Sequence, residues 1–205
     1  MKLSDLFKRC LSIPYKRVKN SADYALERIE NTLYIYFECS NGEIDWLNNF
    51  DFPAKPYNVK NQVWLAHRGF VRVFKSIESY IATPVSDLTL ERIVIVGYSH
   101  GGALAVLCHE YVWYNRPDLR HAIEGYAFGA PRVIWGAVSQ SVANRFQALT
   151  VIRNIDDIVT HLPPKILGYT HVGNLLEIGK RGKYSKVDAH RPENILNELL
   201  IYEQG

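Results

Sequence analysis

Apolar residues in this chain repeat with two periods, and the changes from one to the other outline its elements. Thr32 to Phe37, rich in Tyr and Ile, reads as a strand, and the β-branched run Ile93 to Val96 as a strand buried on both faces. Glu124 to Phe128 and Leu149 to Arg153 give two more. Between them, Gly69 to Ile81 carries Phe70, Val73, Phe74 and Ile77 on one helical face. Helices are likewise expected over Ser21 to Glu30, over the small and aliphatic residues from Gly101 onward, and over Trp135 to Phe146. A last helix runs from about Glu193 to Glu203 with Pro192 near its start. At the N-terminus Leu3, Leu6, Phe7, Cys10 and Leu11 fall at helical spacing among Lys2, Asp5, Lys8 and Arg9. That short amphipathic helix has two readings, packing on the core or lying on a membrane surface, of which packing is favoured.

Strands separated by helices require crossover connections. The expected fold class is therefore α/β, with a mostly parallel central sheet covered by helices on both faces. No repeat, low-complexity tract or Gly/Ser linker interrupts the pattern, and 205 residues bury one sizeable core more readily than two, so residues 1–205 are read as a single domain. A net charge of +3 without a basic stripe interleaved with aromatics argues against nucleic-acid binding. Cys10, Cys39 and Cys108 are odd in number and lack C-x-x-C spacing, which suggests neither a disulfide framework nor a zinc ribbon. Free thiols, together with an N-terminus broken by Lys8 and Arg9 and no membrane-spanning run, lead to the expectation of a cytoplasmic protein, with export by a route other than a cleaved leader left open.

The chemistry centres on Gly97-Tyr98-Ser99-His100-Gly101, which is preceded by a strand and followed by a helix. A G-x-S-x-G in that context is a nucleophile elbow, a tight turn that lifts the serine hydroxyl clear of the sheet. Such a serine needs a histidine to take its proton and a carboxylate to hold that histidine, in the chain order Ser, acid, His. Asp156 and Asp157, on the loop leaving the Leu149 to Arg153 strand, both qualify on spacing. Of His161, His171 and His190, the last is favoured, because it sits in a polar loop just before the final helix and can reach the sheet's active end. His100 is expected to contribute its backbone N–H rather than its ring; His67, His109 and His121 read as structural or surface residues. No histidine pair has metal-ligand spacing, so neither a metal nor a cofactor is implied.

These segments resemble the class 3 lipases, the fungal-type branch of the α/β-hydrolases, from about Thr32 to Ile195. Gly97 to Ala103 is similar to that family's Gly-His-Ser-Leu-Gly-Gly-Ala, with Tyr98 and His100 in place of His and Leu. Ala66 to Phe70 is similar to its His-x-Gly-Phe segment, Phe128 to Val133 to its Phe-Gly-x-Pro-Arg-Val, and Asp157 to Pro164 to its Asp-x-Val-Pro-x-Leu-Pro-Pro. The resemblance assigns Asp157 rather than Asp156 as the acid, and Asp188 to Ile195 resembles the catalytic-histidine segment, in agreement with His190. It implies a compact α/β-hydrolase fold with a short lid segment over 41–52, read either as a moving lid or as aromatics that cap the core; in both readings Trp46, Leu47 and Phe50 would form an apolar wall for the acyl chain. It also implies an oxyanion hole from the N–H groups of His100 and Ser40, although Glu38 and Cys39 depart from the usual Arg and Gly. The implied activity is that of a serine carboxylic-ester hydrolase on lipid or other apolar acyl esters. Its alternatives are a phospholipase A1 with the same machinery, acyl transfer to another alcohol, and a silent hydrolase fold used for binding. The partners expected are the ester substrate and peripheral contact with a lipid surface; no protein partner is implied.

Overall fold

A computed structural model of the chain describes residues 2–19, 21–38, 54–59 and 62–205. In chain order its elements are α1 (Leu3–Ser12), β1 (Tyr24–Ile29), β2 (Thr32–Phe37), β3 (Ala54–Val59), β4 (Gln62–His67), α2 (Arg68–Val85), β5 (Arg92–Tyr98), α3 (His100–Asn115) and β6 (Ile123–Phe128). Then come β7 (Ile134–Trp135), α4 (Gln140–Arg145), β8 (Leu149–Asn154), β9 (Tyr169–Thr170), β10 (Asn174–Ile178) and α5 (Pro192–Tyr202). The main sheet has the order β1-β2-β5-β6-β8-β10. Its strands run parallel except β1, which pairs antiparallel with β2 at the edge.

Period-two alternation divides the sheet's side chains between two cores. Leu33, Ile35, Phe37, Ile93 and Ile95 point to one face, where they meet α2 and α3. Tyr36, Val94, Val96, Tyr98, Phe128 and Ile152 point to the other and pack with α1 and α5. Strands lined on both sides by large apolar residues cannot face water on either, and each buried Val or Ile side chain contributes about 1.5–3 kcal/mol toward keeping the helices in place. The expected α/β-hydrolase architecture is the one observed. Helix α2 buries Phe70, Phe74, Ile77 and Ile81 at three- and four-residue intervals and starts at His67, whose Nδ1 accepts the Phe70 N–H at 3.4 Å.

Three local expectations change. Ser21 to Glu30 is not a helix: most of it, Tyr24–Ile29, is β1, paired residue by residue with β2 from Tyr24↔Phe37 to Ile29↔Thr32. Its helix-forming Ala, Leu, Glu and Arg are overridden because the edge of β2 needs a partner strand. Of Trp135 to Phe146 only Gln140–Arg145 is helical, since Trp135 is held in β7 and Gly136 turns the chain at φ 101°; Ser139 then caps the helix through Val142 N–H. The small antiparallel sheet β3-β4-β7-β9 and the edge strand β10 carried no readable period. For α1, the packed reading holds for most of its apolar face. Leu6, Phe7 and Cys10 are buried, and Ser4 donates its N–H at 2.9 Å and its hydroxyl to the Glu203 carboxylate beyond α5, while Leu11 stays exposed.

Candidate active site

Strand β5 and helix α3 meet at Ser99, whose backbone is forced to φ 55°, ψ −120°. The turn is this tight because the chain reverses over two glycines. A Cβ on Gly97 would run into the Gly101 carbonyl, and one on Gly101 into the Phe37 carbonyl at the end of β2. The Ser99 N–H donates to Phe128 O at 2.9 Å, which ties the turn to the end of β6. Ser99, Asp157 and His190, on three separate loops at the carboxyl ends of the parallel strands, are brought into one hydrogen-bonded chain. His190 Nε2 lies 2.8 Å from Ser99 Oγ, and His190 Nδ1 lies 2.8 Å from Asp157 Oδ2. A carboxylate only accepts, so Nδ1 carries the proton and Nε2 presents a lone pair to the serine hydroxyl.

Each partner is held from behind. Asp157 is fully buried, and its second oxygen, Oδ1, accepts the Val159 N–H at 2.8 Å. Thr160 Oγ1 donates to the Asp157 carbonyl at 2.8 Å. Asp156, its neighbour, faces away and accepts the Gly182 N–H at 2.5 Å, so only one of the two aspartates reaches the histidine. On the histidine side, Asn154 Nδ2 donates to the Ala189 carbonyl at 3.1 Å. Gly129, at φ 55°, leaves the space the pair needs, because a Cβ there would stand 3.0 Å from His190 Cε1 and 3.2 Å from Asp157 Oδ2.

The two other candidate bases, and His100, are engaged elsewhere. His171 Nε2 donates to Thr160 O at 2.7 Å, and burial pushes its ring down to about 4, so it stays neutral and is committed to the loop that carries Asp157. His161 is exposed, and its backbone carbonyl, not its ring, takes a hydrogen bond from Arg132. The His100 ring packs edge-on against Phe70 at 5.5 Å, and burial likewise lowers it to about 4. Its backbone opens α3 directly after the serine, at a helix end where N–H groups face outward. Ser40, Trp46, Leu47 and Phe50 lie outside the described residues, as does Cys39.

Two supporting residues are not visible from spacing. Arg132 donates from Nη1 to the carbonyls of His161 and Pro163 while its own N–H donates to Leu162 O at 2.6 Å, which staples the Phe128 to Val133 segment onto the acid loop. Tyr98, in the elbow itself, stacks on the His190 ring at 5.2 Å, and its hydroxyl donates to the His190 carbonyl. The departure from the family's usual histidine at that position was the one available signal. Tyr98→Phe keeps the stack and removes the donor. It is expected to lower kcat by about three- to tenfold at unchanged KM and to cost about 1–3 kcal/mol of stability, read by steady-state kinetics and a denaturant melt. Equal kcat in the two proteins would show that the bond does not position the ring.

A profile of the family Lipase (class 3) matches residues 34–167. Among curated relatives, the lipase of Rhizomucor miehei is 28% identical over 149 residues, 70% of this chain and 41% of that protein. The secreted mono- and diacylglycerol lipase 1 of Fusarium solani is 28% identical over 131 residues, 62% of this chain and 38% of that protein. The chain thus spans about two fifths of the length of these relatives. Among solved structures, lipase II from Rhizopus niveus superposes with a TM-score of 0.72 at 23% identity, over 82% of this chain and 66% of that one, a likeness of fold. The expected cytoplasmic setting is corrected by these relatives, since the Fusarium enzyme is a secreted one. The thiol argument behind it fails for a physical reason: Cys10 and Cys108 are free but buried, and a buried thiol is shielded from the redox conditions of any compartment. With the family profile matched over more than half of its residues, the chain belongs to the class 3 lipase family.

Proposed function

We propose that residues 1–205 act as one catalytic unit, a serine carboxylic-ester hydrolase that cleaves apolar acyl esters through Ser99, His190 and Asp157. The observation that carries the reading is the unbroken chain Ser99 Oγ to His190 Nε2 to Nδ1 to Asp157 Oδ2, with both links at 2.8 Å. A serine hydroxyl, a neutral imidazole and a buried carboxylate in that order form a nucleophile with its base already in contact.

In the proposed reaction Ser99 Oγ bonds to the ester carbonyl carbon as its proton passes to His190 Nε2. The oxyanion forms beside the start of α3, within reach of the His100 N–H; Ser40 is proposed as the second donor. Collapse expels the alcohol, which leaves with the proton returned by His190, and an acyl-Ser99 ester remains. Water then attacks that ester with His190 again taking the proton, and the acid departs as Ser99 is regenerated. Asp157 stays ionised throughout and holds the imidazole in the working tautomer. Lipid esters are the proposed substrate class because the matched relatives are named as lipases.

Two measurements test this. The chain should take one equivalent of a fluorophosphonate probe, and hydrolysis of p-nitrophenyl esters should be measured across acyl lengths, with and without a lipid interface. Stoichiometric labelling with a preference for longer acyl chains is the expected outcome. An absence of labelling and of hydrolysis would leave a hydrolase fold used only for binding.

A further inference from the structure

The turn that carries Asp157 has an outer side, and a basic loop is fastened there. Residues 179–186, Gly-Lys-Arg-Gly-Lys-Tyr-Ser-Lys, follow β10 and are pinned to the turn by two bonds. Gly182 N–H donates to Asp156 Oδ2 at 2.5 Å, and Ile158 N–H to the Lys186 carbonyl at 3.2 Å. Between loop and turn lies an open cleft of about 280 Å³, bordered by Arg153, Arg181 and Lys186, by the His161 ring, and by Ile155 and Ile158.

The charges around it are unevenly matched. Of the nearby cations, Lys183 is paired with Glu198, and Arg153 with Glu177. Arg181 and Lys186 take no carboxylate partner among the described residues, although both border the cleft. Asp156 is the one carboxylate on its wall, and the Gly182 amide already engages it. Behind the wall Arg132 adds a further positive charge. His161 is lowered first by burial and then by Arg153 and Arg132, with Asp157 and Glu177 pulling the other way; His171 is lowered first by burial, with its Thr160 hydrogen bond opposing and Arg132 and Arg153 adding to the lowering. A concave site with two unpaired cations, a third partly neutralised and an apolar floor suits a compact oxyanion.

We propose that this cleft binds a phosphate group, with the Arg181 guanidinium and the Lys186 ammonium as its principal ligands and Arg153 as the third cation. The phosphate is either that of an anionic lipid head group or free inorganic phosphate. The site lies across the Asp156–Asp157 turn from His190 and goes beyond the hydrolase reading, whose chemistry it neither uses nor supplies.

The test uses the full chain at low ionic strength, with circular dichroism melts to establish that each variant folds. Inorganic phosphate is titrated calorimetrically into the wild type, into Arg181→Glu/Lys186→Glu, and into Lys19→Glu/Arg72→Glu, which changes the net charge equally on exposed residues elsewhere. Saturable binding by the wild type and the control, weakened at least about tenfold in the cleft variant, is the expected result. Arg181→Gln/Lys186→Gln should fall between them and serves where the double reversal does not fold. Cosedimentation with phosphatidylcholine vesicles, with and without phosphatidic acid, identifies the source. Loss of phosphatidic-acid-dependent binding only in the cleft variants assigns the site to a lipid head group. Phosphate binding with no such vesicle difference assigns it to the free ion. The proposal is overturned if neither ligand binds saturably, or if the cleft and control variants lose binding equally.

Discussion

In Ser99→Ala, fluorophosphonate labelling is expected to disappear and ester turnover to fall by about four orders of magnitude or more, while the melting curve should stay close to that of the wild type. The large effect follows from the position of the hydroxyl. Its oxygen is the atom 2.8 Å from His190 Nε2, and removing it leaves the base without a group to activate. Stability should change little, because alanine occupies the same φ 55° backbone at a similar cost and leaves the Ser99 N–H to Phe128 O bond in place. Rate loss without loss of folding is the signature sought, measured as kcat/KM beside a thermal melt. Undiminished labelling of the alanine variant would move the nucleophile elsewhere.

The second large effect separates two adjacent carboxylates. Asp157→Asn should lower kcat by about four orders of magnitude, since an amide facing Nδ1 can donate as well as accept and so permits the tautomer in which Nε2 carries the proton. Asp156→Asn should stay within a few-fold of wild type, because the asparagine oxygen still accepts the Gly182 N–H on the far side of the turn. Both are nearly isosteric, so volume does not explain a difference between them. Comparable activity in the two variants would remove the acid role from Asp157.

The contrast between these neighbours also marks what could be read from the chain. Spacing placed both aspartates on the right loop, and only a family pattern chose between them; in the fold the choice comes from the turn, which sends one carboxylate to His190 and the other to a backbone amide. Buried strands and long amphipathic helices were legible because their periods persist over several residues, as in Arg92–Tyr98 and Arg68–Val85. Strand β1 was misread because its composition favours a helix and only the unpaired edge of β2 makes it extended. The supports of the site were hidden for a related reason. Arg132, Asn154 and Tyr98 all act on carbonyl groups of residues far along the chain, and a carbonyl is common to every residue, so no side-chain pattern reports the contact.

The left-handed backbone at the elbow sets catalysis against stability at a single position. A non-glycine residue in such a conformation holds about 1–3 kcal/mol of strain, a sizeable share of the 5–15 kcal/mol by which an ordinary domain stays folded. Glycine at 99 would release that strain, so selection for thermal tolerance alone would drift toward a chain without the proposed nucleophile. Any programme of stabilisation should therefore hold residues 97–101 fixed and seek its gains in the surrounding cores, where rigidity and turnover are not opposed.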